Sequence, residues 1–174
     1  MPAIELLPYQ PSFLPAFIEW RNQPFSLRFN PLKEISRDEI AKKLEGEGTD
    51  LTRLEKHESF CWFVSAAGQV VGAVSLKNIS HSMSYGEIGY GIAESHHGKG
   101  IATAAVRLMV NKIFVESKLR RLIAYVHEEN HASRRVLEKL GFQEEGLLRD
   151  HYVINGAPVN EALYGLLKRE WVRD

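Results

Sequence analysis

The sequence contains one cysteine, has no long apolar run and carries no formal net charge, and each absence excludes a class of protein. Cys61 alone cannot form an intramolecular disulfide, and its place in the apolar segment FCWFV predicts a buried strand residue in a reducing compartment. A membrane-spanning helix needs about 20 consecutive apolar residues, and the chain has no such run. Basic and acidic residues number 22 each, which argues against a mainly electrostatic nucleic-acid binder.

Signal-peptide and metal-site patterns are also missing. Residues 1–10 lack the charged leader and apolar stretch of a signal peptide, so we expect a cytoplasmic protein with no membrane partner and no direct nucleic-acid partner. Seven histidines are present, but His96 and His97 are adjacent, and His127 and His131 lie on either side of a predicted strand-to-helix junction. Neither spacing places two ligands on one helical face, so we expect no metal.

Apolar periodicity predicts a run of strands that is followed by alternating strands and helices. The predicted strands cover residues 3–7, 60–65, 70–76, 85–92, 119–126, 146–155 and 161–169. The predicted helices cover residues 12–22, a segment that begins after Ser36, a long segment that begins near Gly100, and residues 130–140. This order is typical of a mixed sheet with helices on both faces, in which residues 85–126 form a parallel, right-handed crossover.

Capping residues and two irregular segments complete this pattern. Ser36 and Glu39 match a capping box, and Asn130 is suited to cap the helix that follows it. Residues 23–35 are rich in aromatic side chains, so we expect a loop that covers another part of the molecule. Residues 46–57 are polar and predict a mobile surface connection.

The most informative segment is EIGYGIAESHHGKGIATAA, residues 87–105, where a predicted strand leads through a glycine-rich turn into a helix. The first amides of a helix have no intrahelical partner, and the helix dipole adds partial positive charge there. Gly98 and Gly100 would let a phosphate approach the main chain, and the Lys99 ammonium would add a point charge. The segment therefore predicts a site for a phosphorylated cofactor.

Two common phosphate-binding motifs do not fit this turn. A P-loop requires Gly-x4-Gly-Lys-Ser/Thr, which is absent, and a dinucleotide fingerprint requires a small residue where the sequence has Thr103. The run His97–Ala102 instead resembles the Gln/Arg-x-x-Gly-x-Gly/Ala signature of the GCN5-related N-acetyltransferases (GNATs), with His97 in place of the usual Gln or Arg. Downstream, NHAS at 130–133 and RVLEKLGF at 135–142 resemble the second motif of that family.

Other segments resemble the RimJ/RimL-like branch of the family. They are EWRN at 19–22, EIGY at 87–90, GLLRD at 146–150, YGLL at 164–167 and EW at 170–171. The resemblance covers essentially the whole chain and implies a single domain over residues 1–174. It also implies an α/β fold with a central mixed, mostly antiparallel twisted sheet of about seven strands, a splayed parallel pair, and helices on both faces.

The resemblance further implies that acetyl-CoA binds where the two parallel strands splay apart. The main chain of Tyr90, Gly91 and Ile92 would pair with the pantetheine arm like an extra strand. The amides of the turn would hold the pyrophosphate, and they belong to His97, Gly98, Lys99, Gly100, Ile101 and Ala102. Asn130 would contact the pantetheine in addition to capping its helix, and Ser133 would lie beside the cofactor sulfur.

The proton transfers that acetyl transfer requires indicate the candidate catalytic residues. Coenzyme A leaves as a thiolate, and a thiol pKa of about 8.5 means that this leaving group needs only a hydrogen bond, which Ser133 can donate. The attacking amine must lose a proton, and the candidate bases are Glu87, which points toward the proposed wedge, and His151 with its neighbour Asp150. Tyr152 is a further candidate donor. For each of these strand residues the alternative interpretation is a solvated side chain.

Together these inferences predict an acetyl-CoA-dependent N-acetyltransferase that works by direct attack in a ternary complex. The family precedent favours the N-terminal α-amine of a protein, such as a ribosomal protein, as the acceptor. A small amine, such as a polyamine or an aminoglycoside, is the alternative acceptor. A non-catalytic acetyl-CoA-binding module is the alternative class of protein, and the expected assembly is a monomer or a homodimer.

Overall fold

The computed structural model describes residues 3–30 and 35–172, and a seven-stranded sheet runs through its centre. The strands are β1 (Ile4–Leu7), β2 (Phe60–Ala66), β3 (Gln69–Ser80), β4 (Tyr85–Ile92), β5 (Arg121–His127), β6 (Gln143–Ile154) and β7 (Ala157–Leu167). They lie in the order β1-β2-β3-β4-β5-β7-β6, and every neighbouring pair is antiparallel except β4 and β5. The predicted mixed, mostly antiparallel sheet with one parallel pair is therefore confirmed.

The described residues form five α-helices. These are α1 (Leu14–Arg21), α2 (Pro24–Phe29), α3 (Arg37–Gly46), α4 (Ile101–Glu116) and α5 (His131–Lys139). The prediction of a loop over residues 23–35 is wrong for the part that forms α2, which begins with a proline in its first turn. Residues 31–34 of that segment lie outside the described residues. The predicted surface connection at residues 46–57 instead contains a 3-10 helix (Leu51–Lys56), whose Leu51 is buried in the core.

Alternating side chains of β2 divide the core between the two faces of the sheet. Phe60, Trp62 and Val64 pack in one cluster with the buried side of α4. Cys61 and Phe63 point the other way and pack with residues of α1 and α3. Burial raises the pKa of the Cys61 thiol to about 12, so this thiol is a packing residue, as predicted.

The crossover helix α4 buries most of its surface against the sheet. Ile101, Ala105, Met109 and Ile113 recur at four-residue spacing, and each is at most 3% exposed. Leu108 of the same helix is exposed. No helix among the described residues is both long enough and apolar enough to cross a membrane.

Replacing Ser36 with alanine is expected to lower the free energy of unfolding by about 1 kcal/mol. The Ser36 hydroxyl accepts a hydrogen bond from the Glu39 amide at 3.2 Å, and the Glu39 carboxylate accepts one from the Ser36 amide at 2.7 Å. This is the predicted capping box, and it satisfies two amides at the start of α3. Urea denaturation measures the loss, with Ser82→Ala in the exposed turn before β4 as the control. Equal midpoints for Ser36→Ala and the wild type would contradict the prediction.

Candidate functional site

The candidate site is the cleft that opens where β4 and β5 separate. The two strands pair in parallel from Tyr85 and Arg121 as far as Glu87 and Ile123, and within the described residues the pairing ends there. Both strands continue beyond that point, and the gap between them widens into a cleft of about 600 Å³. An extended ligand can therefore lie between the two strands and pair with the free edge of β4. The predicted splay of the parallel pair is thus present.

Gly91 leaves one wall of the cleft open, whereas glycine at position 89 is explained by close packing against β3. A Cβ atom at Gly91 would meet no atom within 4 Å, so the absence of a side chain there creates free space beside the strand edge. A Cβ atom at Gly89 would lie 3.0 Å from the Ser75 hydroxyl oxygen on β3. Close packing against β3 accounts for Gly89, and only Gly91 has the open surroundings expected of a position kept clear for a ligand.

The glycine turn at the end of the cleft has the backbone geometry on which the predicted anion site depends. Gly98 and Gly100 have φ angles of +75° and +76°, which favour glycine, and they lead the chain into Ile101, the first residue of α4. Amides in the first turn of α4 therefore point along the helix axis toward the cleft mouth. The Lys99 ammonium donates to the Ser95 carbonyl at 2.9 Å, so it lies against the turn itself.

His97 differs in its contacts from the role predicted for it. Its amide donates to the Glu94 carbonyl at 3.0 Å, so the amides that can receive an anion begin at Gly98. Its Nε2 lies 2.8 Å from the Ile92 carbonyl, and because a carbonyl only accepts, Nε2 carries the hydrogen. The imidazole thus occupies a main-chain acceptor at the end of β4 that was predicted to face the pantetheine arm.

The short helix α2 lies over this end of the cleft. The Phe25 ring meets the His97 ring edge-on, with 4.8 Å between centroids, and the Phe29 ring meets the His127 ring at 5.2 Å. The Phe25 amide also donates to the Glu94 carboxylate at 2.6 Å. Since His97 follows β4 and His127 ends β5, α2 contacts both walls. This confirms that the aromatic segment covers another part of the molecule.

Ser133 lines the cleft, and two neighbours hold it in place. The Asn130 side chain accepts a hydrogen bond from the Ser133 amide at 3.0 Å, which confirms Asn130 as the cap of α5. The Tyr90 hydroxyl lies 2.7 Å from the Ser133 hydroxyl and donates to the Ser133 carbonyl at 3.0 Å. Burial raises the pKa of Tyr90, so its hydroxyl stays protonated at neutral pH. The Tyr90 side chain was not predicted to touch Ser133.

Glu87 is buried on the sheet face that α4 does not cover, so the interpretation of a solvated side chain is wrong. Glu87 is 8% exposed. One carboxylate oxygen lies 3.0 Å from the Lys77 ammonium, and the other accepts a hydrogen bond from the Asn78 side-chain amide at 2.7 Å. Glu87 lines the cleft, as predicted. Both of its oxygens are engaged by neighbours on β3.

His151 and Glu161 form a second polar pair on the same sheet face. The His151 Nδ1 lies 2.7 Å from a Glu161 carboxylate oxygen, and the His151 ring lies against the Tyr125 ring at 5.4 Å. Glu161 and Tyr152 line the cleft, whereas His151 and Asp150 line a shallow surface depression beside it. The structure therefore separates Asp150 from the cleft and connects His151 to it through Glu161.

Glu161 is the residue that sequence reasoning missed. It is 7% exposed, and burial raises the pKa of its carboxyl, an effect that the hydrogen bond from His151 opposes. The available signal was a carboxylate at the first position of the predicted strand 161–169, directly before the mostly apolar run ALYGLL. Within the described part of the chain, no group of three or more His, Cys, Asp or Glu side chains could hold a metal ion.

Comparison with known proteins agrees with this geometry. Residues 4–143, more than half of the chain, match the acetyltransferase (GNAT) domain. A Bacillus subtilis (strain 168) protein named "putative ribosomal N-acetyltransferase YdaF" is 42% identical over 104 residues, which are 60% of this chain and 57% of that protein. The uncharacterized N-acetyltransferase p20 of Bacillus licheniformis is 34% identical over 145 residues, which are 83% of this chain and 80% of that protein.

A solved structure extends the comparison to the whole fold. RimJ of Mycobacterium smegmatis, in complex with CoA-disulfide, superposes with a TM-score of 0.85 at 26% identity, over 98% of this chain and 85% of that chain. The resemblance to RimJ/RimL-like proteins is thereby confirmed. The chain belongs to the acetyltransferase (GNAT) domain family.

Proposed function

We propose that the protein transfers an acetyl group from acetyl-CoA to a primary amine, and that the acceptor is the N-terminal α-amine of a protein. The observation that carries this proposal is one continuous cleft. It joins an anion site at the start of α4, a free strand edge at β4, a hydroxyl at Ser133 and a buried carboxylate face. Acetyl-CoA has a pyrophosphate, an extended amide arm and a thioester, and these match the first three features in order.

Different residues of the cleft would bind different parts of the cofactor. The amides from Gly98 to Ala102 would receive the pyrophosphate, with Asn130 beside the pantetheine. The main chain of Tyr90 and Gly91 and the amide of Ile92 would pair with the arm in the manner of an added strand, since His97 engages the Ile92 carbonyl. The open surroundings of Gly91 support this placement. When bound, acetyl-CoA supplies an activated acetyl group and a thiolate leaving group.

We infer that Ser133 assists the leaving group. The single proton of the Tyr90 hydroxyl can go either to the Ser133 carbonyl at 3.0 Å or to the Ser133 hydroxyl oxygen at 2.7 Å. In the second arrangement the Ser133 proton is left to point at the cofactor sulfur. A hydrogen bond to a developing thiolate is charge-assisted and therefore stronger in the transition state than in the ground state. Ser133 would thus donate a hydrogen bond directly to the sulfur, and Tyr90 would orient it.

The energetics of deprotonation favour an α-amine as the acceptor. At pH 7 an α-amine with a pKa of about 8 costs roughly 1.4 kcal/mol to deprotonate, whereas a lysine amine near 10.4 costs about 4 to 5 kcal/mol. A modest base suffices for the first. Glu87 and the His151–Glu161 pair both line or adjoin the cleft on the face where the amine would enter.

The charge of that face favours an acceptor with one positive charge. The buried carboxylate of Glu87 is paired with Lys77, which offsets its charge, and that of Glu161 accepts a hydrogen bond from His151. A polyamine, with several ammonium groups, would gain more from unpaired carboxylates. The name of the YdaF relative, a ribosomal N-acetyltransferase, also supports a protein acceptor.

A peptide with a free N-terminus is expected to raise thiol release from acetyl-CoA at least about tenfold more than spermidine. Deprotonating an α-amine costs about 3 kcal/mol less than deprotonating a lysine-like amine, and tenfold corresponds to only about 1.4 kcal/mol. The measurement is thiol release over a panel of peptides and small amines at equal concentration. A peptide with a blocked N-terminus and an internal lysine serves as the control. Preferred use of spermidine would overturn the acceptor class. Binding of acetyl-CoA without release by any amine would instead support a non-catalytic module.

A further inference from the structure

A β-bulge holds His151 over the neighbouring strand. The pairing of β6 with β7 shifts register between Leu148 and Tyr152, and Asp150 within that interval has a φ of +51°. The Asp150 amide donates to the Asn160 side chain at 2.9 Å, which fixes the bulge to β7. Bulges turn a side chain out of its regular alternation. Here the result is that His151 contacts Glu161, the residue next to Asn160.

The pair formed by His151 and Glu161 reaches from the cleft to the protein surface. Glu161 is buried and lines the cleft from β7, whereas the His151 side chain is 39% exposed and lines the depression outside it. The hydrogen bond from Nδ1 engages one oxygen of Glu161. Among the described residues no hydrogen bond engages the second oxygen. This second oxygen of the buried carboxylate is therefore available to accept a proton.

We propose that Glu161 accepts the proton of the acceptor ammonium group, and that His151 is a positioning residue that holds the Glu161 carboxylate in place. The inference rests on the proposed function and adds to it the identity of the base. Glu87 is less suited to this role, because Lys77 and Asn78 engage both of its oxygens. A carboxylate that accepts a proton would have to give up one of those contacts.

The chemical step balances without any further reactant. The ammonium gives one proton to the oxygen of Glu161 that His151 does not engage, and the carboxylate becomes a neutral acid. The amine nitrogen then forms a bond to the acetyl carbonyl carbon, and the bond from that carbon to sulfur breaks. The second proton, lost from nitrogen as its new bond forms, goes to the departing sulfur. The proton on Glu161 passes to water after the product leaves.

The electrostatic surroundings of Glu161 suit this role. The groups that face it or adjoin it are Glu87 on β4, Tyr125 and His127 on β5, and His151 and Tyr152 on β6. Burial and the charge of Glu87 raise the pKa of Glu161, while His151 and His127 lower it. A base works best when its pKa is near the working pH, and a raised carboxyl pKa moves Glu161 in that direction.

Glu161→Gln is expected to lower kcat/KM for a peptide amine about 30-fold at pH 7 while acetyl-CoA binding and the melting temperature stay unchanged. The loss is below the usual hundredfold or more for a general base, because about a tenth of an α-amine is already unprotonated at this pH. The variant's rate should rise about tenfold per pH unit below the amine pKa, since only the free amine then reacts. Glu116→Gln, at the far end of α4, is the control.

His151→Phe gives a second test that keeps the aromatic contact with Tyr125. Removing the Nδ1 donor removes an interaction that lowers the pKa of Glu161, so the acidic limb of kcat/KM should move to higher pH. A Glu161→Gln variant with the wild-type rate and pH profile, or a His151→Phe variant with an unmoved acidic limb, would overturn the inference. Lack of turnover by the wild-type protein with every amine would instead refute the proposed function.

Discussion

Ser133→Ala is expected to lower kcat about 100-fold while the affinity for acetyl-CoA stays nearly unchanged. In the proposed mechanism the serine hydroxyl donates to the cofactor sulfur, where negative charge develops only as the bond breaks. Losing such a donor raises the barrier by about 2.7 kcal/mol, a typical value for a hydrogen bond made in the transition state. Steady-state kinetics and calorimetric titration with coenzyme A measure the two quantities. Ser82→Ala, in an exposed turn, is the matched control.

The Tyr90 hydroxyl provides the internal check on this assignment. It lies 2.7 Å from the Ser133 hydroxyl, and its raised pKa keeps it protonated. Tyr90→Phe alone should slow turnover about tenfold, and in the Ser133→Ala background it should have little further effect, because residues that act as a unit are not additive. Additive effects of the two changes would show that Tyr90 does not act through Ser133. An unchanged kcat in Ser133→Ala would remove the serine from the mechanism.

The features that the sequence predicted correctly are those encoded over short distances. The strand, glycine turn and helix from Tyr85 to Glu116 follow from periodicity and two glycines with positive φ. The Ser36 capping box and the Asn130 cap each involve residues three apart. Such contacts are fixed by local geometry, so residue types at a given spacing identify them.

The features that were missed depend on contacts between distant parts of the chain. The hydrogen bond of Tyr90 with Ser133 spans 43 residues, and that of Phe25 with Glu94 spans 69. The contact of His151 with Glu161 requires a bulge whose register no periodicity reveals. Resemblance to the family supplied the proposed cofactor site, but these pairings depend on this chain's own side chains. Three-dimensional packing was needed to find them.

Gly91→Leu is expected to lower kcat/KM for acetyl transfer by at least about 100-fold without destabilising the fold. The Cβ position of Gly91 meets no atom within 4 Å, and its φ is not in the left-handed region, so leucine fits the strand. Its side chain would then fill the space where the pantetheine arm and the incoming amine must meet. Displacing reacting atoms by about 1 Å already costs about 100-fold, and a whole side chain exceeds that displacement.

Substitutions at two other glycines distinguish this effect from a general effect of replacing glycine. Gly146→Leu on β6 also meets no atom within 4 Å but lies outside the cleft, so it should retain both stability and activity. Gly72→Ala should lose stability, because its Cβ would lie only 2.3 Å from the Gly91 carbonyl oxygen. Thermal unfolding and acetyl-CoA titration of the three variants test this pattern. Wild-type activity in Gly91→Leu would mean that neither the arm nor the amine passes beside β4 at this residue.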